Sequence, residues 1–201
     1  MQENLMQIYQ LFPIPIGKFQ YENITQKELD FIKKLEYKDN LGNQVSVNKD
    51  VLESKELKKI KKFIESSVKE YFNFTSSPNN ELDIYVHLSW TNITNNGQFH
   101  HKHCHPNSFL SGVFYLQTLD DRIYFHREGY SMLSVTPTEF NMYNSKTWWY
   151  PAETGTLLIF PSDLTHHVDK VTHDTPRISL SFNTWLRGPV GDKNDASYVY
   201  L

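Results

Sequence analysis

The chain has 201 residues, 39% hydrophobic and 14% aromatic, with nine histidines, one cysteine and a formal net charge of -3. A length of this order suits a single domain over residues 1–201 and lets a chain bury roughly 70% of its unfolded surface. The charge balance gives no global electrostatic case for nucleic acid or a membrane; the lone Cys104 excludes an internal disulfide framework and a cysteine-rich zinc site; and no apolar run approaches the roughly 18 to 20 residues of a membrane span. The N-terminus lacks the basic-then-apolar pattern of a signal peptide, so a cytoplasmic location is the expectation.

Along the chain, residues 8–21 read as an extended, proline-punctuated strand, which the prolines demote to a sheet edge. Residues 24–38 then read as helix, opened by a capping box of Thr25 and Glu28 and continued by Leu29, Ile32 and Leu35. A turn follows around Asn40-Leu41-Gly42-Asn43. Residues 53–73 predict a longer amphipathic helix with an apolar stripe of Leu57, Ile60, Ile64, Val68 and Phe72. Lysines and glutamates are interleaved on its other face, the pattern of a solvated exterior.

From residue 81 the period changes from helical to two. Leu82, Ile84, Val86, Leu88 and Trp90 alternate with polar or half-polar residues, as on a half-buried strand. Further strands are predicted at 110–117, 122–127, 131–136, 156–160 and 177–186, separated by turn-prone residues that include Asp120-Asp121, Glu128-Gly129, Pro151 and Thr154-Gly155. Helices first and short strands later predict a mainly β fold with N-terminal helices packed on one face, of the sandwich or jelly-roll kind. The expected division is helical support over 1–80, a jelly-roll core over 81–188 and an irregular tail over 189–201.

The strongest chemical signal is Phe99-His100-His101-Lys102-His103-Cys104-His105-Pro106. On a strand, residues two apart share a face, so His101, His103 and His105 share one face, and a His-x-His pair there offers two imidazoles to one metal. The second signal is Phe160-Pro161-Ser162-Asp163-Leu164-Thr165-His166-His167, where an apolar strand runs through a turn into two histidines. Eleven residues after His166 comes Arg177, opening a strand whose alternation puts Arg177, Ser179, Ser181 and Asn183 on one face and Ile178, Leu180 and Phe182 on the other. An arginine on an interior polar face wants a carboxylate, which its planar fork binds bidentately. That carboxylate belongs either to an internal acidic residue or to a carboxylate-bearing cosubstrate.

Together these pieces resemble the 2-oxoglutarate/Fe(II) oxygenases, and within them the small oxygenases of bacteria and marine phages. The resemblance runs through Trp90-Thr91-Asn92, Gly97, His103-Cys104-His105-Pro106-Asn107-Ser108, Ser111-Gly112-Val113-Phe114-Tyr115, the Phe160 to His166 segment and Arg177-Ile178-Ser179-Leu180-Ser181-Phe182-Asn183, over about residues 82–188. Leu11-Phe12-Pro13-Ile14-Pro15 is similar to that group's opening strand. The resemblance implies a double-stranded β-helix, a distorted cupin-like jelly roll. It also implies Fe(II) held by His103, His105 and His166, and 2-oxoglutarate as cosubstrate. Arg177 and Ser179 would grip its distal carboxylate, with Tyr115 as a further hydrogen-bonding candidate. The implied activity is hydroxylation of an unidentified substrate with release of succinate and carbon dioxide.

One departure stands out. The family's usual carboxylate ligand position holds His105, and no Asp or Glu lies between residues 84 and 119 to take its place. Three imidazoles suit iron, nickel, copper and zinc alike, and they leave the metal's charge to be balanced by an anionic chelator. His101 and His167 remain register alternatives for ligands. Two rival readings share the fold: a cupin-like three-histidine dioxygenase that does not use 2-oxoglutarate, and a non-catalytic β-sandwich module with a structural metal, which would close its coordination sphere.

Overall fold

The computed structural model describes residues 6–78, 81–129, 133 and 135–201. Strand β1 (Gly17–Gln20) precedes helix α1 (Gln26–Lys33), the hairpin of β2 (Tyr37–Asp39) and β3 (Gln44–Ser46), and helix α2 (Lys58–Ser76). The remaining strands are β4 (Asp83–Thr94), β5 (His100–His103), β6 (Leu110–Gln117), β7 (Asp121–His126), β8 (Thr147–Ala152), β9 (Thr156–Pro161), β10 (His166–Val168), β11 (Arg177–Arg187), β12 (Pro189–Val190) and β13 (Val199–Tyr200). A seven-stranded sheet runs β1-β9-β6-β11-β4-β3-β2 and a four-stranded sheet runs β5-β10-β7-β8. Their strands pair antiparallel, giving the expected double-stranded β-helix. No described helix is long and apolar enough to cross a membrane.

Two apolar clusters hold these layers together. The larger joins the helices to the outer face of the seven-stranded sheet: Ile32, Leu57, Ile60, Ile64, Val68 and Phe72 pack against Ile84, Phe114, Ile178, Leu180 and Phe182. The whole α2 stripe read from the sequence is therefore buried. The smaller cluster lies between the two sheets and contains Val113, Tyr115, Ile123, Phe125, Leu158, Phe160 and Leu164. Burial at this density supplies most of the favourable folding energy, and it leaves the inner face of β11 polar.

The N-terminal elements are shorter than the periodicity suggests. Only Gly17–Gln20 of the 8–21 segment is strand, paired with β9 at the sheet edge where its prolines allow it. The Thr25–Glu28 capping box forms, but α1 ends at Lys33 because residues 37–39 are captured by the hairpin with β3. Gly42, at φ 91°, makes the turn. Short 3₁₀ turns over Val51–Glu53 and Lys55–Leu57 delay α2 to Lys58. Pro151, read as a turn, lies inside β8, which tolerates it as the edge of the four-stranded sheet. The tail, read as irregular, folds back as the β12–β13 pair. The strand expected over 131–136 lies, at 131, 132 and 134, outside the described residues, and 135 and 136 carry no strand.

A bulge in β4 corrects the single-phase alternation read for residues 82–90. Asn183 pairs with Leu88 but Thr184 pairs with Val86, so His87 is an extra residue. An inserted residue reverses which side chains face the core. Before it, Ile84 and Val86 join the helical layer. After it, Ser89 accepts a hydrogen bond from the Leu52 amide and Thr91 bonds the Tyr37 hydroxyl on that same side. Trp90, Asn92 and Thr94 thereby turn into the barrel.

Gly112 on β6 shows how closely the sheet and its helical layer are fitted. A Cβ there would lie 2.2 Å from Cζ of the fully buried Phe182 and 2.9 Å from the Leu158 carbonyl oxygen. Gly112→Ala is therefore expected to destabilise the fold by about 1–3 kcal/mol through overpacking, read as a lower urea midpoint at unchanged slope. An unchanged midpoint would show that the ring has room to move.

Candidate metal centre

Three strand ends converge inside the barrel. His103 closes β5, His166 opens β10 directly opposite it in register, and His105 follows β5 with its amide donating to the Ser162 carbonyl at 2.8 Å. The nitrogens of His103, His105 and His166 all lie within 4.8 Å of one another. Their orientation is fixed from behind. His103 Nδ1 meets the His101 carbonyl at 2.7 Å and His166 Nδ1 meets the Leu164 carbonyl at 2.9 Å. A carbonyl accepts only from N–H, so both rings carry the proton on Nδ1 and present Nε2 with a free lone pair. His105 Nε2 approaches His166 Nε2 at 3.3 Å. Two nitrogens at about 2.1 Å from one ion would stand at about this separation.

Burial keeps these rings neutral. Desolvation is the main cause in each case, and neighbouring histidines add to it: His105 is pushed down to about 4 and His166 to about 3, while His103 is lowered as well. A neutral imidazole is the form that ligates a metal. His100, to which the sequence pattern assigns no role, is pushed down to about 2 by burial, then by His103 and Arg177.

The two register alternatives sit differently. His167 points to the opposite face, with Nδ1 at 2.8 Å from His126 Nε2 and Nε2 at 3.1 Å from the Asp169 carboxylate, so both its nitrogens are engaged. His101 groups with His100 and His103, but His103 has one free nitrogen and cannot serve an ion in each group. His173 pairs with Asp121 at 3.3 Å, away from the cluster.

The residues around the histidines have separate duties. Ser162 and Asn183 both bond Ser111 Oγ, at 2.8 and 2.9 Å, and Ser162 also donates to Ser108 at 2.8 Å. These motif serines tie β6, β9 and β11 together behind His105. Trp90 flanks His105 with ring centroids 5.7 Å apart. The row His103–His166–Phe125–Trp148 runs in register across the four-stranded sheet. Trp148 thus shares the inner face with His166, two strand spacings or about 10 Å away. Trp148 and Tyr150 remain 40% and 37% exposed, which makes them the open wall of the site. A wide surface groove of about 830 Å³ between the end of α2 and the tail has no histidine in its lining.

Deeper in the barrel is a second polar cluster. Arg177 pairs across strands with Thr94, and Ser179 pairs with Asn92 on one side and Tyr115 on the other. All five are buried. The Arg177 guanidinium lies 5.1 Å from the Tyr115 ring centroid. Among the described residues, Arg177 has no acidic partner within ion-pair distance. Arg177 Nε, the Tyr115 hydroxyl, Thr94 Oγ1 and Asn92 Oδ1 also lack hydrogen-bond partners there. Burial pushes Tyr115 up to about 12, with the nearby guanidinium acting the other way, so it stays a hydroxyl donor. The internal Arg–Asp pair is absent among the described residues. A buried cation without an acidic partner, beside the Tyr115 and Thr94 hydroxyls, is suited to receive an anion.

Fold and side chains together define a double-stranded β-helix with a histidine cluster and a buried, unpaired arginine in its interior. Residues 88–183 match the family described as "Putative 2OG-Fe(II) oxygenase". Solved structures share the fold at low identity. HygX from Streptomyces hygroscopicus, with nickel and 2-oxoglutarate bound, aligns at TM-score 0.60 and 9% identity over 93% of this chain and 92% of its own. The α-ketoglutarate-dependent epimerase SnoN from nogalamycin biosynthesis aligns at 0.59 and 9% over 91% and 83%. A 2OG-Fe(II) oxygenase family oxidoreductase from Burkholderia pseudomallei aligns at 0.55 and 13% over 77% and 74%. No curated protein matches the sequence.

The neutral histidines make stability pH-dependent. Unfolded, each imidazole titrates near its ordinary 6.5; folded, it titrates lower. Between the two values the unfolded chain binds more protons, so acid favours unfolding, at up to about 1.4 kcal/mol per pH unit for each such group. The metal-free protein should keep a constant melting temperature from pH 8 to 7 and lose it progressively below 6.5. His105→Gln and His166→Gln should each show a shallower fall. Parallel profiles for all three proteins would contradict the burial argument.

Proposed function

We propose that the protein is a 2-oxoglutarate-dependent non-haem iron oxygenase that oxidises a C–H bond of its substrate, releasing succinate and carbon dioxide. The observation that carries this reading is the pairing of a three-imidazole cluster with a buried, unpartnered Arg177 on one inner face. In this reading His103, His105 and His166 hold the metal, and the fit is chemical as well as geometric: three neutral donors leave the ion's charge uncompensated, which favours a dianionic chelator. The metal and keto acid together would supply the oxidation of an unactivated bond.

The chain's own contributions follow from its contacts. The Leu164 and His101 carbonyls hold His166 and His103 in the tautomer that donates Nε2. Arg177 grips the far carboxylate with its fork, Ser179 adds a hydroxyl on the same face, and Tyr115, kept protonated by burial, donates from β6. The packed cluster of Val113, Leu158 and Phe160 beneath excludes water from the pocket. Substrate is received on the open side, over the inner face of β8 that carries Trp148 and Tyr150.

Anaerobic addition of Fe(II) and then 2-oxoglutarate should produce the weak visible charge-transfer band of a metal-keto acid chelate, and oxygen should then yield succinate. His103→Ala and His166→Ala should each abolish stoichiometric metal binding, whereas His173→Ala should not. Arg177→Met should keep the metal and weaken 2-oxoglutarate about ten- to a hundredfold, the worth of a charge-assisted contact. Lysine should rescue only in part, because a point charge lacks the bidentate fork. Metal-loaded wild-type protein with no 2-oxoglutarate affinity and no succinate would leave the three-histidine dioxygenase reading in its place.

A further inference from the structure

Simple alternation along β5 puts His100 on the same side as Lys102, which is exposed and paired with Glu128 at 3.2 Å. The pairing with β10 is not simple. His166 faces His103, but Val168 faces His100, so three steps on β5 match two on β10 and β5 carries an extra residue. That bulge brings His100 to the face shared by His166 and the buried Val168. Its ring stacks on His103 with centroids 4.5 Å apart and planes 27° apart. After burial and His103, the positive charge of Arg177 helps hold the His100 ring neutral. Among the described residues neither of its ring nitrogens has a hydrogen-bond partner in the structure. Bulges beside active sites commonly re-aim a side chain in this way.

We infer that His100 is a cosubstrate-binding residue: turned inward by the β5 bulge, its ring N–H donates to the carboxylate held by Arg177. This deepens the reading proposed above and rests on it. It assigns His100 a ligand contact rather than a metal bond. His103 spends its only free nitrogen on the proposed ion, so the His100–His101–His103 group cannot form a second full site beside the first.

The test uses Fe(II)-loaded protein without oxygen and two probes, 2-oxoglutarate and 2-oxopentanoate, the same five-carbon keto acid without the second carboxylate. His100→Phe keeps a flat ring for the His103 stack and removes the donor. It should retain one metal per chain, weaken 2-oxoglutarate about tenfold or more, and leave 2-oxopentanoate unchanged. His100→Gln, which keeps an N–H, should recover part of the loss. Equal weakening of both probes would show that His100 acts through the metal, and loss of metal in His100→Phe would make it a ligand; either overturns the inference. Unchanged 2-oxoglutarate affinity in His100→Phe overturns it too, while the wider reading stands. That wider reading fails separately if the wild-type protein itself binds no 2-oxoglutarate.

Discussion

The interior of this protein is organised around one buried charge. Arg177 is 2% exposed and faces free hydroxyls rather than a carboxylate. Leaving an ion in that state costs several kcal/mol, and an apolar side chain on the same strand would pack at no such cost. The opposite face of β11 shows what the cheaper solution looks like, with Ile178, Leu180 and Phe182 buried against the helices. In the function proposed, this cation awaits an anion, and the metal held by the histidines would make the same demand. Three neutral imidazoles would hold an ion without cancelling its charge, so a dianion that touches both ends would answer both requirements at once.

Bulges are the means by which a regular jelly roll acquires this interior. The extra residue at His87 hands Ser89 and Thr91 to the helical layer and turns Trp90, Asn92 and Thr94 inward. The extra residue in β5 does the same for His100. In each case one inserted residue changes the chemistry of a face without changing the strand order. The motif serines 108, 111 and 162, with Asn183, then lock the strand ends that carry His105.

What was readable from the sequence follows the same division. The alternation of β11 predicted its two faces correctly, because no bulge interrupts residues 177–183 on that strand. The α2 stripe and the Thr25 capping box were legible because both depend on local spacing. The convergence of His103, His105 and His166 was legible through motif order and resemblance, whereas periodicity alone left His101 and His167 open. His100 was missed because its inward aim depends on a register shift, which is a property of the pairing with β10 and leaves no mark on β5 itself. Strand β8 was missed because its exposed Trp148, Trp149 and Tyr150 do not alternate in hydropathy. The β2–β3 hairpin was missed because three-residue strands carry too little pattern to outweigh the helical signal before them.

In the function proposed, metal and 2-oxoglutarate answer each other's charge. Binding free energies are reciprocal, so the most direct measurement is the Fe(II) dissociation constant under anaerobic conditions with and without saturating 2-oxoglutarate, in wild-type protein and in Arg177→Met. The keto acid should tighten the metal by about tenfold or more in the wild type and by clearly less in the variant. An Fe(II) affinity that is the same with and without 2-oxoglutarate would contradict it.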